Sequence, residues 1–104
     1  TAPVSAIRKL LEQNNLKIED IDLFEINEAF SVVPMVAIKE LNLSIDKVNI
    51  HGGAVSLGHP IGCSGTRIII SLINALKIKN KKLGIASICI GGGEATAILI
   101  ENIT

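Results

Sequence analysis

Two side chains in this sequence combine a reactive group with an unusual neighbourhood. His59 stands directly before Pro60, and Cys89 ends an apolar run just before the glycines that begin at Gly91. An imidazole can accept a proton near neutral pH, and a thiol beside open backbone amides can act next to a pocket that stabilises an anion. These residues therefore indicate proton transfer beside a developing negative charge.

The glycines are concentrated around these two side chains. Five of the nine lie between positions 52 and 65, and three more lie at 91–93. Glycine suits backbone that turns with a positive φ or approaches a ligand closely. Tight turns without a function explain either cluster alone, but two clusters beside reactive side chains favour a site.

Each candidate also has a purely structural interpretation. His59 could donate a hydrogen bond to a loop carbonyl, and Cys89 could be a buried core thiol. Asn27 and Glu28, at a predicted strand-to-helix junction, could simply cap the helix. The residues alone leave these alternatives open.

A metal site and a phosphate loop are weaker interpretations. His51, His59, Cys63 and Cys89 show neither a C-x-x-C pair nor the paired-histidine spacing of zinc sites, so we expect no bound metal. The glycine spacing across positions 58–65 lacks the Gly-Lys-Ser/Thr ending that a phosphate-binding loop requires.

The predicted elements that position these residues alternate between helix and strand. Apolar spacing and breaker residues predict the order α-β-α-β-α-β-β, which is typical of an α/β layered domain with a mixed sheet. The second helix either begins late, near Val33, or is kinked at Pro34. The predicted segments are a helix from Thr1 fading near Asn14, a strand Ile21–Ile26, a helix from about Ala29 to Leu41, a brief strand Lys47–Ile50, a loop 51–65, a helix Arg67–Lys79 that is apolar on most sides and therefore buried, and a hairpin of strands Leu83–Ile90 and Ala95–Glu101.

Composition excludes several classes of function. The 104 residues suffice for one small domain, and the net charge is zero with two Phe and no Tyr or Trp. Nucleic-acid binding needs a basic surface and usually stacking aromatics, so we expect none. No run reaches the roughly 18 apolar residues of a membrane span, and no signal peptide is visible. We expect a chain with reduced thiols in the cytoplasm, with the mitochondrial matrix as the alternative.

The apolar content is high for so short a chain. Hydrophobic residues make up 48% before the nine glycines are added, whereas ordinary domains reach about 45–50% with glycine included. The surplus indicates that some apolar faces are covered by something outside this chain. A compositional bias towards Ile, Lys and Asn is the simpler explanation.

Three segments, taken together, resemble the C-terminal sequence blocks of the thiolases. They most closely resemble the biosynthetic acetoacetyl-CoA thiolases, and the resemblance covers essentially all 104 residues. His51 departs from the pattern, since many members carry Asn there, and Cys63 falls at a variable position and receives no role. The three blocks are Asn27-Glu28-Ala29-Phe30, the segment from Gly52 through Gly58-His59-Pro60 to Gly65, and Cys89-Ile90-Gly91-Gly92-Gly93.

The resemblance implies a fold, a reaction and partners. It implies an α/β, thiolase-like layered fold, with residues 1–104 as the C-terminal domain and a mixed five-stranded-type sheet lacking its first strand. The family's acyltransferase reaction joins two acetyl-CoA molecules into acetoacetyl-CoA, or cleaves it in reverse, with coenzyme A thioesters as substrates and no cofactor. The N-terminal half and the loop domain are expected to be absent from this chain. The complete enzyme is expected to be a homo-oligomer, either a dimer or a tetramer.

The resemblance also implies roles for individual residues. His59 corresponds to the base that activates a nucleophilic cysteine of the N-terminal half, and its ring helps bind the thioester oxygen. Cys89 corresponds to the acid/base that takes a proton from the second acetyl group. Asn27 corresponds to the residue that holds a water in an oxyanion hole with His59, and the Gly91 N–H to a donor in the other hole. Positions lining the family's pantetheine tunnel correspond to Ala29 and Phe30.

Two alternative functions remain. The chain could be a truncated, catalytically silent thiolase-like domain, or part of a degradative 3-ketoacyl-CoA thiolase with broader chain-length preference. Because the nucleophilic cysteine lies outside this sequence, the 104 residues alone are expected to be inactive.

Overall fold

The computed structural model describes residues 2–26, 32–49, 64–91 and 94–103. Along these residues the order is helix, strand, helix, helix, strand, strand, with short 3-10 turns before β1 and after α2. The order confirms the predicted α/β class. The elements are α1 (Ala2–Gln13), β1 (Leu23–Ile26), α2 (Val32–Leu41), α3 (Ser64–Lys79), β2 (Leu83–Gly91) and β3 (Glu94–Glu101).

The sheet is mixed, as predicted, with the strand order β1-β2-β3. β1 runs parallel to β2, and β2 and β3 form the predicted antiparallel hairpin. The brief strand predicted at 47–50 is a single parallel bridge between Val48 and Phe24. This bridge extends the sheet by one residue pair on the outer side of β1.

Helices cover both faces of the sheet. α1 and α2 pack on one face and α3 packs on the other, which gives three layers. Apolar side chains alternate between the two faces of the strands, because successive strand residues point to opposite sides. The first face is buried with Ile7, Leu11, Phe24, Ile26, Ala37 and Ile85, and the second with Leu23, Ile68, Leu72, Ala75, Leu76 and Ala86.

One predicted boundary differs from the observed one for a local reason. β1 begins at Leu23 rather than Ile21, because the Ile21 amide donates to Ile18 O at 3.2 Å and closes a 3-10 turn. Helix α2 is described over Val32–Leu41 and includes Pro34. The predicted helix start near Ala29 lies outside the described residues.

Helix α3 is buried on one side only, so the prediction of a helix buried on most sides is wrong within this chain. Leu72 and Leu76 are fully buried against the sheet, whereas Ile70 is 51% exposed and Ile78 is 71% exposed. The contact is close at Gly84, where an added Cβ would lie 2.8 Å from Leu72 Cδ1. The opposite side of α3 carries apolar residues that no other described residue covers.

The three α-helices of the described residues end in the same way, at an asparagine with positive φ. Asn15, Asn42 and Asn80 have φ values of 53°, 55° and 54°. The residue after each asparagine donates its amide to a carbonyl five positions back, as in Leu16 to Leu11 O at 2.9 Å. This is the Schellman arrangement, in which asparagine replaces the more usual glycine.

The amino-terminal end of the β1–β2 pair is held by one carboxylate. Asp22 Oδ2 accepts hydrogen bonds from the amides of Lys82 and Leu83, both at 3.0 Å. Burial raises the pKa of the Asp22 carboxyl, and these two hydrogen bonds lower it. The charges of Lys81 and Lys47 lower it further, so that the pKa lies below its ordinary value of 3.8.

Candidate active site

The carboxyl ends of β1 and β2 lie at the same edge of the sheet. The strands are parallel, and Ile26, the last residue of β1, pairs with Ser87 of β2. The sequence continues from Ile26 directly into Asn27, and from Ser87 through Ile88 into Cys89. Ligands of α/β sheets bind outside the carboxyl ends of parallel strands, so this edge is the expected place for a site.

A β-bulge interrupts the hairpin at the cysteine. Cys89 pairs with Ala95 and Gly91 pairs with Glu94, so β2 carries one residue more than β3 across this step. A bulge bends its strand and redirects the residues beside it, and bulges are frequent next to active sites. The Cys-x-Gly segment thus leaves the regular ladder at the carboxyl edge.

The amino terminus of α3 lies against the same part of β2. A Cβ built on Gly65 would lie 3.5 Å from Ile88 Cγ2, so the first turn of α3 passes beside the residue that precedes Cys89. The positive end of a helix dipole is located at this turn, and it favours negative charge nearby. The glycine-rich segment that contains His59 enters α3 at this end.

The side chain of Asn49 forms two hydrogen bonds with the backbone of Ile26, the last residue of β1. The Ile26 amide donates to Asn49 Oδ1 at 2.7 Å, and Asn49 Nδ2 donates to Ile26 O at 3.2 Å. The Asn49 amide itself donates to Phe24 O at 2.8 Å. No local motif around Asn49 had pointed to this contact.

The core near this edge also contains two polar residues. Glu25 is 2% exposed and Ser87 is 1% exposed. Ser87 Oγ has no hydrogen-bond partner in the part of the chain that the structure describes. A buried hydroxyl without a partner is costly, which makes this position unusual in the core.

The structure brings the ends of the motif-bearing segments together but describes only some of the predicted site residues. Cys89 and Gly91 lie in β2, at the bulge. The other predicted site residues, Asn27, Ala29, Phe30 and His59, lie outside the described residues. His51 and Cys63 lie outside them as well.

The described residues also bear on two other possibilities, a metal site and a membrane-spanning helix. Across residues 2–26, 32–49, 64–91 and 94–103, no group of three or more His, Cys, Asp or Glu is placed to hold a metal ion. In the same ranges, none of the helices has the length and apolar character needed to cross a membrane.

Comparison with known proteins decides the family. The sequence model of the thiolase C-terminal domain matches residues 1–102. This chain belongs to the thiolase family. The three sequence blocks and the α/β fold agree with that assignment.

Sequence relatives of this thiolase domain include acetyl-CoA acetyltransferases from distant organisms. The mitochondrial acetyl-CoA acetyltransferase of Rattus norvegicus is 56% identical over 102 residues, which is 98% of this chain and 24% of the relative. The acetyl-CoA acetyltransferase of Escherichia coli is 46% identical over 101 residues, which is 97% of this chain and 26% of the relative. The chain therefore spans about a quarter of the length of these relatives.

Solved thiolase structures have the same fold. The Acat5 thiolase from Ascaris suum, crystallised in complex with coenzyme A, matches with a TM-score of 0.91 and 53% identity, covering 99% of this chain and 26% of that one. The Bacillus anthracis acetyl-CoA acetyltransferase matches with a TM-score of 0.90 and 52% identity, covering 96% and 25%. The α/β layers described above are thus those of a thiolase.

Proposed function

We propose that this chain is the C-terminal catalytic part of an acetyl-CoA C-acetyltransferase, which condenses two acetyl-CoA molecules into acetoacetyl-CoA and free coenzyme A and catalyses the reverse thiolysis. The observation that carries the proposal is the meeting of three segments at one edge of the sheet. The bulged Cys89–Gly91 segment, the end of β1 before Asn27 and the first turn of α3 all lie there. The acetyl-CoA acetyltransferases among the relatives support the choice of reaction.

In the proposed first half-reaction, His59 accepts the proton of a nucleophilic cysteine in the N-terminal half. That sulfur attacks the carbonyl carbon of the first acetyl-CoA, the new carbon–sulfur bond forms, and coenzyme A leaves as a thiol after taking the proton. Negative charge develops on the thioester oxygen during the attack. Amide hydrogens such as the Gly91 N–H suit the stabilisation of that oxygen, because preorganised donors act strongly where water is excluded.

In the proposed second half-reaction, Cys89 acts as a thiolate and removes a proton from the methyl group of the second acetyl-CoA. The resulting enolate attacks the acetyl carbonyl, which forms the carbon–carbon bond and breaks the bond to the nucleophilic cysteine. That sulfur leaves as a thiolate and recovers the proton that Cys89 took. His59 and a water held by Asn27 would stabilise the enolate oxygen. Ala29 and Phe30 would line the tunnel for the pantetheine arm of the substrate.

The length of the relatives supports a larger working unit. Because this chain spans about a quarter of them, we infer that an N-terminal half supplies the nucleophile and that residues 1–104 alone are inactive. The exposed Ile70 and Ile78 of α3 are consistent with a further layer packed on that side. We further infer a homo-oligomer, a dimer or a tetramer, in the cytoplasm or the mitochondrial matrix.

The test is the reaction of the full-length protein that contains this segment. Acetoacetyl-CoA formation from acetyl-CoA, and its thiolysis by coenzyme A, should both proceed. Replacing Cys89 by alanine removes the group that moves the substrate proton, and general acid–base catalysis of this kind contributes about 10²–10⁴-fold to the rate. The melting temperature should change little, because alanine occupies nearly the same volume.

Cys63 provides the matched control, since it has no proposed role. Cys63→Ala should leave both the rate and the melting temperature unchanged. Equal activity losses in the two cysteine variants would contradict the assigned roles. A full-length protein without turnover would favour the catalytically silent alternative, and faster thiolysis of longer 3-ketoacyl-CoA substrates would favour the degradative one.

A further inference from the structure

The side chain of Asn49 takes the place of a neighbouring strand at the end of β1. Beyond the single bridge between Val48 and Phe24, the outer side of β1 has no partner strand among the described residues. In a parallel ladder, one residue presents its N–H and C=O to the same side. On that outer side, the carboxamide of Asn49 accepts from the Ile26 amide at 2.7 Å and donates to the Ile26 carbonyl at 3.2 Å.

Only a carboxamide fits this pair of groups. The oxygen of Asn49 satisfies a donor, and its NH₂ group satisfies an acceptor. A carboxylate of the same shape would place negative charge against the Ile26 carbonyl oxygen, and a methyl group would satisfy neither partner. The contact is therefore specific to asparagine in both chemistry and length.

The backbone of Asn49 also distinguishes it from the other positive-φ asparagines. Its φ is 49°, close to those of Asn15, Asn42 and Asn80. Those three are exposed and end helices, whereas Asn49 is half-buried and ends the bridge to β1. The left-handed turn at Asn49 thus redirects the chain immediately before the glycine-rich segment.

We propose that Asn49 is a positioning residue that fixes the end of β1, and with it Asn27, relative to the segment that carries His59. The inference rests on the proposed function, in which Asn27 and His59 serve one oxyanion hole. Asn49 is bonded to the residue before Asn27, and the chain from Asn49 to His59 is only ten residues long. Loosening this contact frees the residue that precedes Asn27 and leaves Asn27 and His59 themselves unchanged.

The test compares two substitutions to glycine in the full-length protein. Glycine accepts the positive φ, so Asn49→Gly removes the carboxamide without adding backbone strain. We expect kcat for condensation to fall by about tenfold to 100-fold, since a displacement near 1 Å in a catalytic arrangement can cost about 100-fold. The KM for acetyl-CoA should stay within twofold, because the oxyanion hole acts mainly on the transition state.

Asn42→Gly is the matched control, with the same backbone geometry at an exposed helix end. It should leave kcat and KM unchanged. A second variant, Asn49→Asp, keeps the acceptor for the Ile26 amide, and so the fold, but sets a carboxylate against the Ile26 carbonyl. It should lower kcat in the same way as Asn49→Gly.

The outcomes separate this proposal from the proposed function. If Asn49→Gly and Asn49→Asp lower the melting temperature but keep the wild-type kcat, the residue is merely structural and the positioning role is wrong, even where Cys89→Ala is inactive. If the wild-type protein shows no acyl transfer, the proposed function fails and this role fails with it. A fall in kcat for both Asn49 variants, without one for Asn42→Gly, supports the proposal.

Discussion

One short polar side chain hydrogen-bonds to the backbone at each end of the β1–β2 pair, but the two sets of hydrogen bonds differ in chemistry. At the amino end, Asp22 accepts hydrogen bonds from two consecutive amides of the β2 strand region. At the carboxyl end, Asn49 exchanges one donor and one acceptor with the last residue of β1.

The difference follows from what each end has to satisfy. Two amide donors at the amino end favour a carboxylate, and the nearby charges of Lys81 and Lys47 stabilise its ionised form. At the carboxyl end, a neutral carboxamide fixes backbone position without placing a charge beside the candidate site. We therefore expect the amino end to contribute mainly to stability and the carboxyl end mainly to the geometry of the candidate site.

The largest effect on stability is expected at Asp22. Asp22→Ala removes two charge-assisted hydrogen bonds, and after allowance for partial exposure to solvent this should cost about 1–2 kcal/mol of unfolding free energy. The kcat of the full-length protein should not change, because this carboxylate lies at the opposite end of the sheet from the site. Chemical denaturation and steady-state kinetics on the same preparation measure both quantities.

Asp46 offers the control for that substitution, since it is an exposed acidic residue close to the same end. Asp46→Ala should change stability by no more than about 0.5 kcal/mol. A tenfold loss of kcat in Asp22→Ala would contradict this division of roles between the two ends, because it would show that the amino end also affects the site.

The pH dependence of stability tests the role of the charge on Asp22 at the amino end. The pKa of Asp22 in the folded chain lies below its ordinary value of 3.8, so the ionised form is favoured by folding. The contribution of Asp22 to stability is complete above the pKa that this carboxyl has in the unfolded chain. It is lost as the pH falls through the pKa in the folded chain. The stability difference between wild type and Asp22→Asn should therefore be constant from pH 5 to 7 and shrink below about pH 4. A difference that grows in acid would contradict the assigned cause.

The smallest effect is expected at Ser87, near the carboxyl end. Ser87→Ala removes a buried hydroxyl that has no partner among the described residues. Unfolding free energy should rise by up to about 1 kcal/mol, since an unsatisfied buried polar group is unfavourable. Ser44→Ala, at an exposed serine that makes no capping hydrogen bond, should have almost no effect. A clear loss of stability in Ser87→Ala would show that the hydroxyl is bonded in the full-length protein.

Local patterns in the sequence predicted most of the fold but not the fastening of the sheet. The β2–β3 hairpin and the α/β order, apart from the brief strand predicted at 47–50, follow from apolar runs and breaker residues, and the structure confirms them. The contacts of Asp22 and Asn49 join residues 60 and 23 positions apart. No local sequence pattern predicts a contact between residues so far apart. A single asparagine before a glycine cluster does not by itself indicate that its side chain bonds to another strand.

The prediction for α3 failed because its apolar residues on the side away from the sheet are exposed among the residues that the structure describes. Ile70 and Ile78 satisfy the pattern of a buried helix, yet burial depends on what packs against each side. For the candidate site, the structure describes the backbone of Cys89 and Gly91, which lie at the bulge. The roles of Cys89 and Gly91, like those of Asn27, Ala29, Phe30 and His59, stay predictions.

The asparagines that end the helices have a consequence for how the gene can change. Asn15, Asn42 and Asn80 make the left-handed turns that glycine makes in many other proteins. A drift in nucleotide composition can therefore exchange glycine codons for asparagine codons at helix ends at small cost, because asparagine tolerates this backbone. Positions where backbone must approach a ligand closely accept no such exchange. The glycines that remain then mark positions where a side chain has no room, whether beside a ligand or, as at Gly84, against a packed core residue.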